Sequence, residues 1–152
     1  MRISDYLKSD FCIMNLISKT KEEAIREIAT NLQKSGKIND LEKFIADILE
    51  REALGSTGIG YNIAIPHSRT EAVDGFVIGF GRSIEGIDFN SLDGEKVNLI
   101  FLMGANPKEL NMYLRLLAEL SRFLINNSFR KTLLSASGPQ EIVEIFKKFE
   151  GK

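Results

Sequence analysis

The chain has no tryptophan, one cysteine, one histidine and three prolines among its 152 residues. A lone cysteine excludes an internal disulfide, and Cys12 lies in an apolar stretch where a small buried hydrophobe is expected. One cysteine and one histidine fall short of the about four thiolate or imidazole ligands that a structural zinc takes. No carboxylate spacing marks a magnesium site, and both GxGxxG and GxxxxGK[ST] are missing. No metal and no cofactor is therefore expected, and any phosphoryl chemistry must use a phosphate already carried elsewhere or on a small donor. There is no charge excess either: 20 Lys and Arg against 21 Asp and Glu leave a formal charge of −1, which argues against nucleic acid as a partner. No run of about eighteen apolar residues occurs, and Asp5, Lys8 and Asp10 interrupt the start where a leader peptide needs an apolar stretch. The chain reads as soluble and cytoplasmic, without direct membrane insertion.

What is present is an ordinary globular composition, 43% hydrophobic and 27% charged, of a length that closes about one core. A single domain over residues 1–152 is expected. Residues 11–16 read as a short strand. Thr20 and Glu23 have the spacing of a capping box. Ala24, Ile25, Ile28, Ala29 and Leu32 follow at helical intervals, and Gly36 is the stop. A second helix opens around Asn39 and Asp40 and ends before Gly55. Residues 62–66 form a short apolar strand ended by Pro66, residues 73–81 a second, and residues 97–103, apolar but for Asn98, a central one. Asn106-Pro107 opens a long helix carrying a stripe of Leu110, Leu114, Leu117, Leu120 and Leu124. Two shorter helices follow, over residues 128–135 and from Pro139. The order predicts an α/β fold, a sheet with helices on both faces.

The chemistry gathers at Ile63-Ala-Ile-Pro-His67-Ser-Arg69. His67 follows a strand, where sites in α/β sheets collect, and Pro66 fixes the backbone just before it. Neutral imidazole is a nucleophile at neutral pH and can take a phosphoryl group covalently, dividing one transfer into two. Arg51, at the end of the second helix, offers a forked guanidinium suited to two phosphate oxygens. Ser56 and Thr57 offer hydroxyls beside flexible glycines. From spacing alone Arg51 is equally a solvated helix end, and Arg69 reads as a surface charge.

The ordered series Arg51-Glu52, Gly55-Ser-Thr57, Gly60, Ile63-Ala-Ile-Pro-His67 resembles the type-2 enzyme IIA domain of the bacterial phosphoenolpyruvate-dependent phosphotransferase system, the fructose, mannitol and nitrogen-regulatory group. The segments Ile87-Asp-Phe-Asn-Ser-Leu-Asp-Gly94 and Leu114-Arg-Leu-Leu-Ala-Glu-Leu-Ser121 extend the resemblance over most of the chain. It implies a three-layer α/β/α arrangement around a mixed sheet. It also implies that His67 accepts phosphate from a phosphorylated HPr-like carrier, with Arg51 facing the phosphate and Ser56 and Thr57 in the adjoining loop. The onward acceptor would be a cysteine of an enzyme IIB partner. Alternatively, phosphorylation of His67 switches binding to a regulated protein, as in the nitrogen-type members; a third possibility is a relative that is never phosphorylated. Nothing IIB-like surrounds Cys12, so a standalone IIA is expected. Two departures stand out. Ser68 takes the place of a glycine common in the family, where its side chain either narrows the approach to the site or points outward. Tyr113 takes the place of a second histidine, either donating a hydrogen bond to phosphate or packing at the helix edge.

Overall fold

The structure, a computed structural model, describes residues 2–151. After two short 3-10 turns, strand β1 (Cys12–Ile13) is followed by helices α1 (Lys21–Asn31) and α2 (Leu41–Leu54). Four strands come next, β2 (Gly58–Gly60), β3 (Ile63–Ala64), β4 (His67–Arg69) and β5 (Phe76–Ile87), then β6 (Val97–Ala105). Helices α3 (Leu110–Ile125), α4 (Asn127–Ser135) and α5 (Pro139–Glu150) complete the fold. The sheet runs β1-β5-β6-β3-β2, with β4 also on β6. Strand β5 is antiparallel to β6, while β1 lies parallel to β5 and both β3 and β4 lie parallel to β6, so the sheet is mixed.

Alternation along the central strands divides the core into two layers. Leu99, Phe101 and Met103 of β6 join Phe76, Ile78 and Phe80 of β5 beneath α3, α4 and α5. Ile100 and Leu102 point the other way, into the layer formed by Ala24, Ile25 and Ile28 of α1 and Phe44, Ile45 and Ile48 of α2. The three-layer α/β/α expectation holds, with the apolar β6 at its centre. Close approach of α1 and the 3-10 turn after it to the sheet depends on Gly79 and Gly81: a β-carbon there would sit 2.9 Å from Leu32 Cγ and 2.7 Å from Ile28 Cδ1.

Helix ends follow the sequence signals, with adjustments. The Thr20 hydroxyl accepts from the Glu23 amide at 3.2 Å, but the Glu23 carboxylate takes a hydrogen bond from that same hydroxyl instead of closing on the backbone. Asp40 caps α2 by accepting from the Lys43 amide at 3.1 Å. Asn106 accepts from the Lys108 amide, and Pro107 opens a 3-10 turn before α3 begins.

Three expected elements shift. The first strand shrinks to two residues, because the chain then turns to pair Leu16 with Arg82. The strand expected over 73–81 starts three residues later and runs on to Ile87. Its polar continuation is possible because Arg82 is covered: its guanidinium donates to the carbonyls of Leu133, Leu134 and Ala136, and its Nε to Met14. The leucine stripe of α3 is rotated from expectation. Tyr113, Leu116, Leu120, Phe123 and Leu124 are buried, whereas Leu110 and Leu114 face outward.

The segment that carries the histidine crosses the sheet in two pieces. Ile63 and Ala64 pair with Leu99 and Ile100, and His67, Ser68 and Arg69 pair with Met103, Gly104 and Ala105. Pro66 lies between them with no amide proton to give, though its carbonyl still accepts from Met103 at 3.0 Å. A two-residue turn at Tyr61 and Asn62, both left-handed (φ 57° and 64°), joins β2 to β3.

Candidate functional site

Strand β4 ends the crossing at the mouth of a cleft of about 760 Å³ between α2 and the start of α3. Arg51 lines it from the last turn of α2, His67 and Arg69 from β4, and Tyr113 with Leu110, Leu114 and Leu117 from α3. Successive strand side chains alternate, so His67 and Arg69 share a face. Ser68 between them is buried, its hydroxyl 3.4 Å from the Arg69 carbonyl.

His67 is held by its own strand. Its Nδ1 lies 2.6 Å from the carbonyl oxygen of Ile65. A carbonyl only accepts, so Nδ1 carries the proton in the neutral ring and Nε2 keeps the lone pair. Burial pushes the imidazole below its usual value. The Ile65 hydrogen bond opposes this, the nearby Arg51 guanidinium adds to it, and Glu52 opposes it weakly. The ring is thus neutral and nucleophilic around pH 7, in a cleft lined by two arginines.

Arg51 is anchored by donating from Nη1 to the Gly55 carbonyl at 2.9 Å. Tyr113 stands beside His67, ring centroids 5.9 Å apart and tilted by 50°. Burial pushes its phenol up to about 12, against the pull of Arg69 and Arg51, so the hydroxyl is a proton donor at neutral pH.

The structure therefore brings Arg51, His67 and Tyr113 into one cleft. It does not bring Ser56 and Thr57 there. The Ser56 hydroxyl donates to the Phe89 carbonyl, and the Thr57 hydroxyl donates to the Glu52 carboxylate. Thr57 is buried, and neither residue lines the cleft. Arg69, read from sequence as a surface charge, belongs to the cleft. The missed signal was the period of two from His67, which is informative only once residues 67–69 are known to be a strand.

Chemically, the cleft offers one neutral imidazole nitrogen, two guanidinium groups and a phenol donor, a set suited to a small, doubly charged oxyanion. The chain is 41% identical over 145 residues to the fructose-specific EIIABC component of the phosphotransferase system from Bacillus subtilis, covering 95% of this chain and 23% of that protein. It is 34% identical to the fructose-specific EIIA component from Haloferax volcanii, covering 83% of this chain and 82% of that protein. The chain thus spans about a quarter of the first relative and most of the second. Among solved structures, the nitrogen regulatory protein IIA-Ntr from Neisseria meningitidis superimposes with a TM-score of 0.89 at 26% identity, over 95% of this chain and 98% of that one. The mannitol IIA of Escherichia coli, in its complex with phosphorylated IIB, superimposes with a TM-score of 0.79 at 25% identity, over 93% and 97%. The family model for the phosphoenolpyruvate-dependent sugar phosphotransferase system, EIIA 2, matches residues 5–149, and the chain belongs to that family.

Proposed function

We propose that residues 1–152 act as a single cytoplasmic EIIA domain that carries a phosphoryl group on His67. The observation that carries this reading is the 2.6 Å contact between His67 Nδ1 and the Ile65 carbonyl, which leaves Nε2 for the arginine-lined cleft. Nε2 attacks the phosphorus of a phosphohistidine on an HPr-like donor. The new N–P bond forms as the donor's N–P bond breaks, and the donor imidazole leaves with the bonding pair. Nδ1 keeps its proton throughout, so no separate base is needed. Arg51 and Arg69 hold the charge on the transferring group, and Tyr113 donates to one of its oxygens. In the reverse sense, the thiolate of an enzyme IIB cysteine takes the group and His67 leaves. The mannitol complex supports a IIB partner, and the two fructose-specific relatives make a fructose-type system the favoured setting.

The test is incubation with phosphorylated HPr. Acid-labile, base-stable phosphate on Nε2 of His67, detected by phosphorus–nitrogen NMR coupling, is expected. Label that persists in His67→Ala overturns the assignment.

A second reading is favoured by the TM-score of 0.89 to IIA-Ntr, higher than the 0.79 to the mannitol domain. In it, the phosphate on His67 is a signal that makes or breaks a contact with a regulated protein. Pull-down with both forms separates the readings: equal capture in the two states argues against a switch. The open cleft shared by Arg51 and His67 weighs against a domain that is never phosphorylated.

A further inference from the structure

Beneath the cleft lies a carboxylate that the transfer does not use. Glu52 follows Arg51 on α2 but does not line the cleft, and it is only 6% exposed. Burying a carboxylate is costly unless every oxygen finds donors. Here it finds them: Lys21 Nζ at 3.2 Å, the Thr57 hydroxyl, and the Thr57 amide 3.2 Å from Oε1.

From Thr57 the contacts lead to the histidine. The Thr57 carbonyl accepts from the Ile65 amide at 3.1 Å, and the Ile65 carbonyl accepts from His67 Nδ1 at 2.6 Å. This matters because neither the β3 nor the β4 pairing includes Ile65. The β3 pairing ends at Ala64, β4 begins at His67, and Pro66 has no amide to contribute. Thr57, fixed at both its hydroxyl and its amide by Glu52, therefore holds the backbone at Ile65, the residue whose carbonyl meets His67, through the Ile65 amide. A neutral imidazole without such a partner populates both tautomers, and only one leaves Nε2 unprotonated.

We infer that Glu52 is a positioning residue for His67: through Thr57 and Ile65 it aims the carbonyl that binds Nδ1–H and so keeps Nε2 as the nitrogen offered to the cleft. The inference deepens the phosphoryl-carrier reading and rests on it for its catalytic consequence, but the tautomer itself is readable without any phosphate.

His67 is the only histidine in the chain, so its ring nitrogens give one unambiguous set of signals in a long-range nitrogen–proton NMR spectrum. The wild type is expected to show a single Nδ1-protonated tautomer. Glu52→Ala is expected to show a mixture and at least a tenfold slower single-turnover acceptance of phosphate from phosphorylated HPr. Glu52→Gln keeps an acceptor for the Thr57 hydroxyl and is expected to restore the tautomer and most of the rate. Thr57→Val removes only the hydroxyl link and serves if Glu52→Ala does not fold; a tautomer mixture is expected there too. A folded Glu52→Ala or Thr57→Val protein that keeps one Nδ1-protonated tautomer overturns the inference. A tautomer shift in these variants, with no phosphate accepted even by the wild type, supports the positioning role and overturns the carrier reading.

Discussion

The rings of His67 and Tyr113 meet at the edge of the cleft, centroids 5.9 Å apart and 50° from coplanar. Tyr113 is 5% exposed, so its ring is part of the core as well as a wall of the site. Its hydroxyl stays protonated far above neutral pH. Tyr113→Phe keeps the packing and removes the donor, and it is expected to slow phosphate acceptance by about tenfold, the worth of one hydrogen bond of about 1.4 kcal/mol. Single-turnover transfer from phosphorylated HPr measures this, with thermal unfolding as the control for packing. An unchanged rate removes Tyr113 from the reaction and leaves it a packing residue.

The two arginines are expected to contribute unequally. Arg51 is held in place by the Gly55 carbonyl, and Arg69 stands exposed on β4. Arg51→Ala is expected to lower the transfer rate by about a hundredfold, in the range seen when a preorganised charge-stabilising donor is lost. Arg69→Ala is expected to cost about tenfold, because solvent already screens its charge. Lysine at position 51 restores charge but not the fork, and is expected to recover only part of the loss.

The pH dependence follows from the direction of the His67 shift. Its folded value lies below that of an exposed histidine, about 6.5, so the neutral nucleophile persists to lower pH. The NMR titration midpoint is expected below that of a histidine-containing unstructured peptide. Linkage has the same sign: between about pH 6.5 and the lower folded value the unfolded chain binds more protons, so stability falls as pH drops through that window. A midpoint at or above the peptide's contradicts both statements.

Arg82 is expected to matter for folding and not for transfer. It gives hydrogen bonds to three carbonyls at the end of α4 and to Met14. Arg82→Leu leaves those acceptors without their donor and is expected to destabilise the fold by about 2–3 kcal/mol in urea denaturation. The transfer rate of the folded fraction is expected to match the wild type.

Much of this fold is legible in the sequence where periodicity is unbroken. The apolar run at Leu99–Met103 reads as a central strand, and β6 is flanked by neighbours on both sides. Legibility fails where a distant partner decides. Arg82 inside a strand looks like an ending until the carbonyls of α4, some fifty residues on, are seen to cover it. The helical period of α3 fits several rotations, and the stripe of leucines is less informative than Tyr113 and Phe123, which turn inward instead. At the site, His67 stands out through Pro66 and the strand before it. The hydroxyls of Ser56 and Thr57 look equally available in the sequence, yet one is taken by Phe89 and the other by Glu52.

The placement of His67 within a strand has a consequence for how its phosphorylation would be sensed. Three consecutive residues, His67, Ser68 and Arg69, are registered against β6, the strand at the centre of the sheet. A group added to that imidazole cannot readily rearrange the backbone beneath it, since doing so would break the three-residue pairing of β4 with β6. The two forms of the domain are then nearly the same shape, differing by a patch of negative potential at one mouth. A partner that tells them apart reads electrostatics, and its preference should fade with added salt.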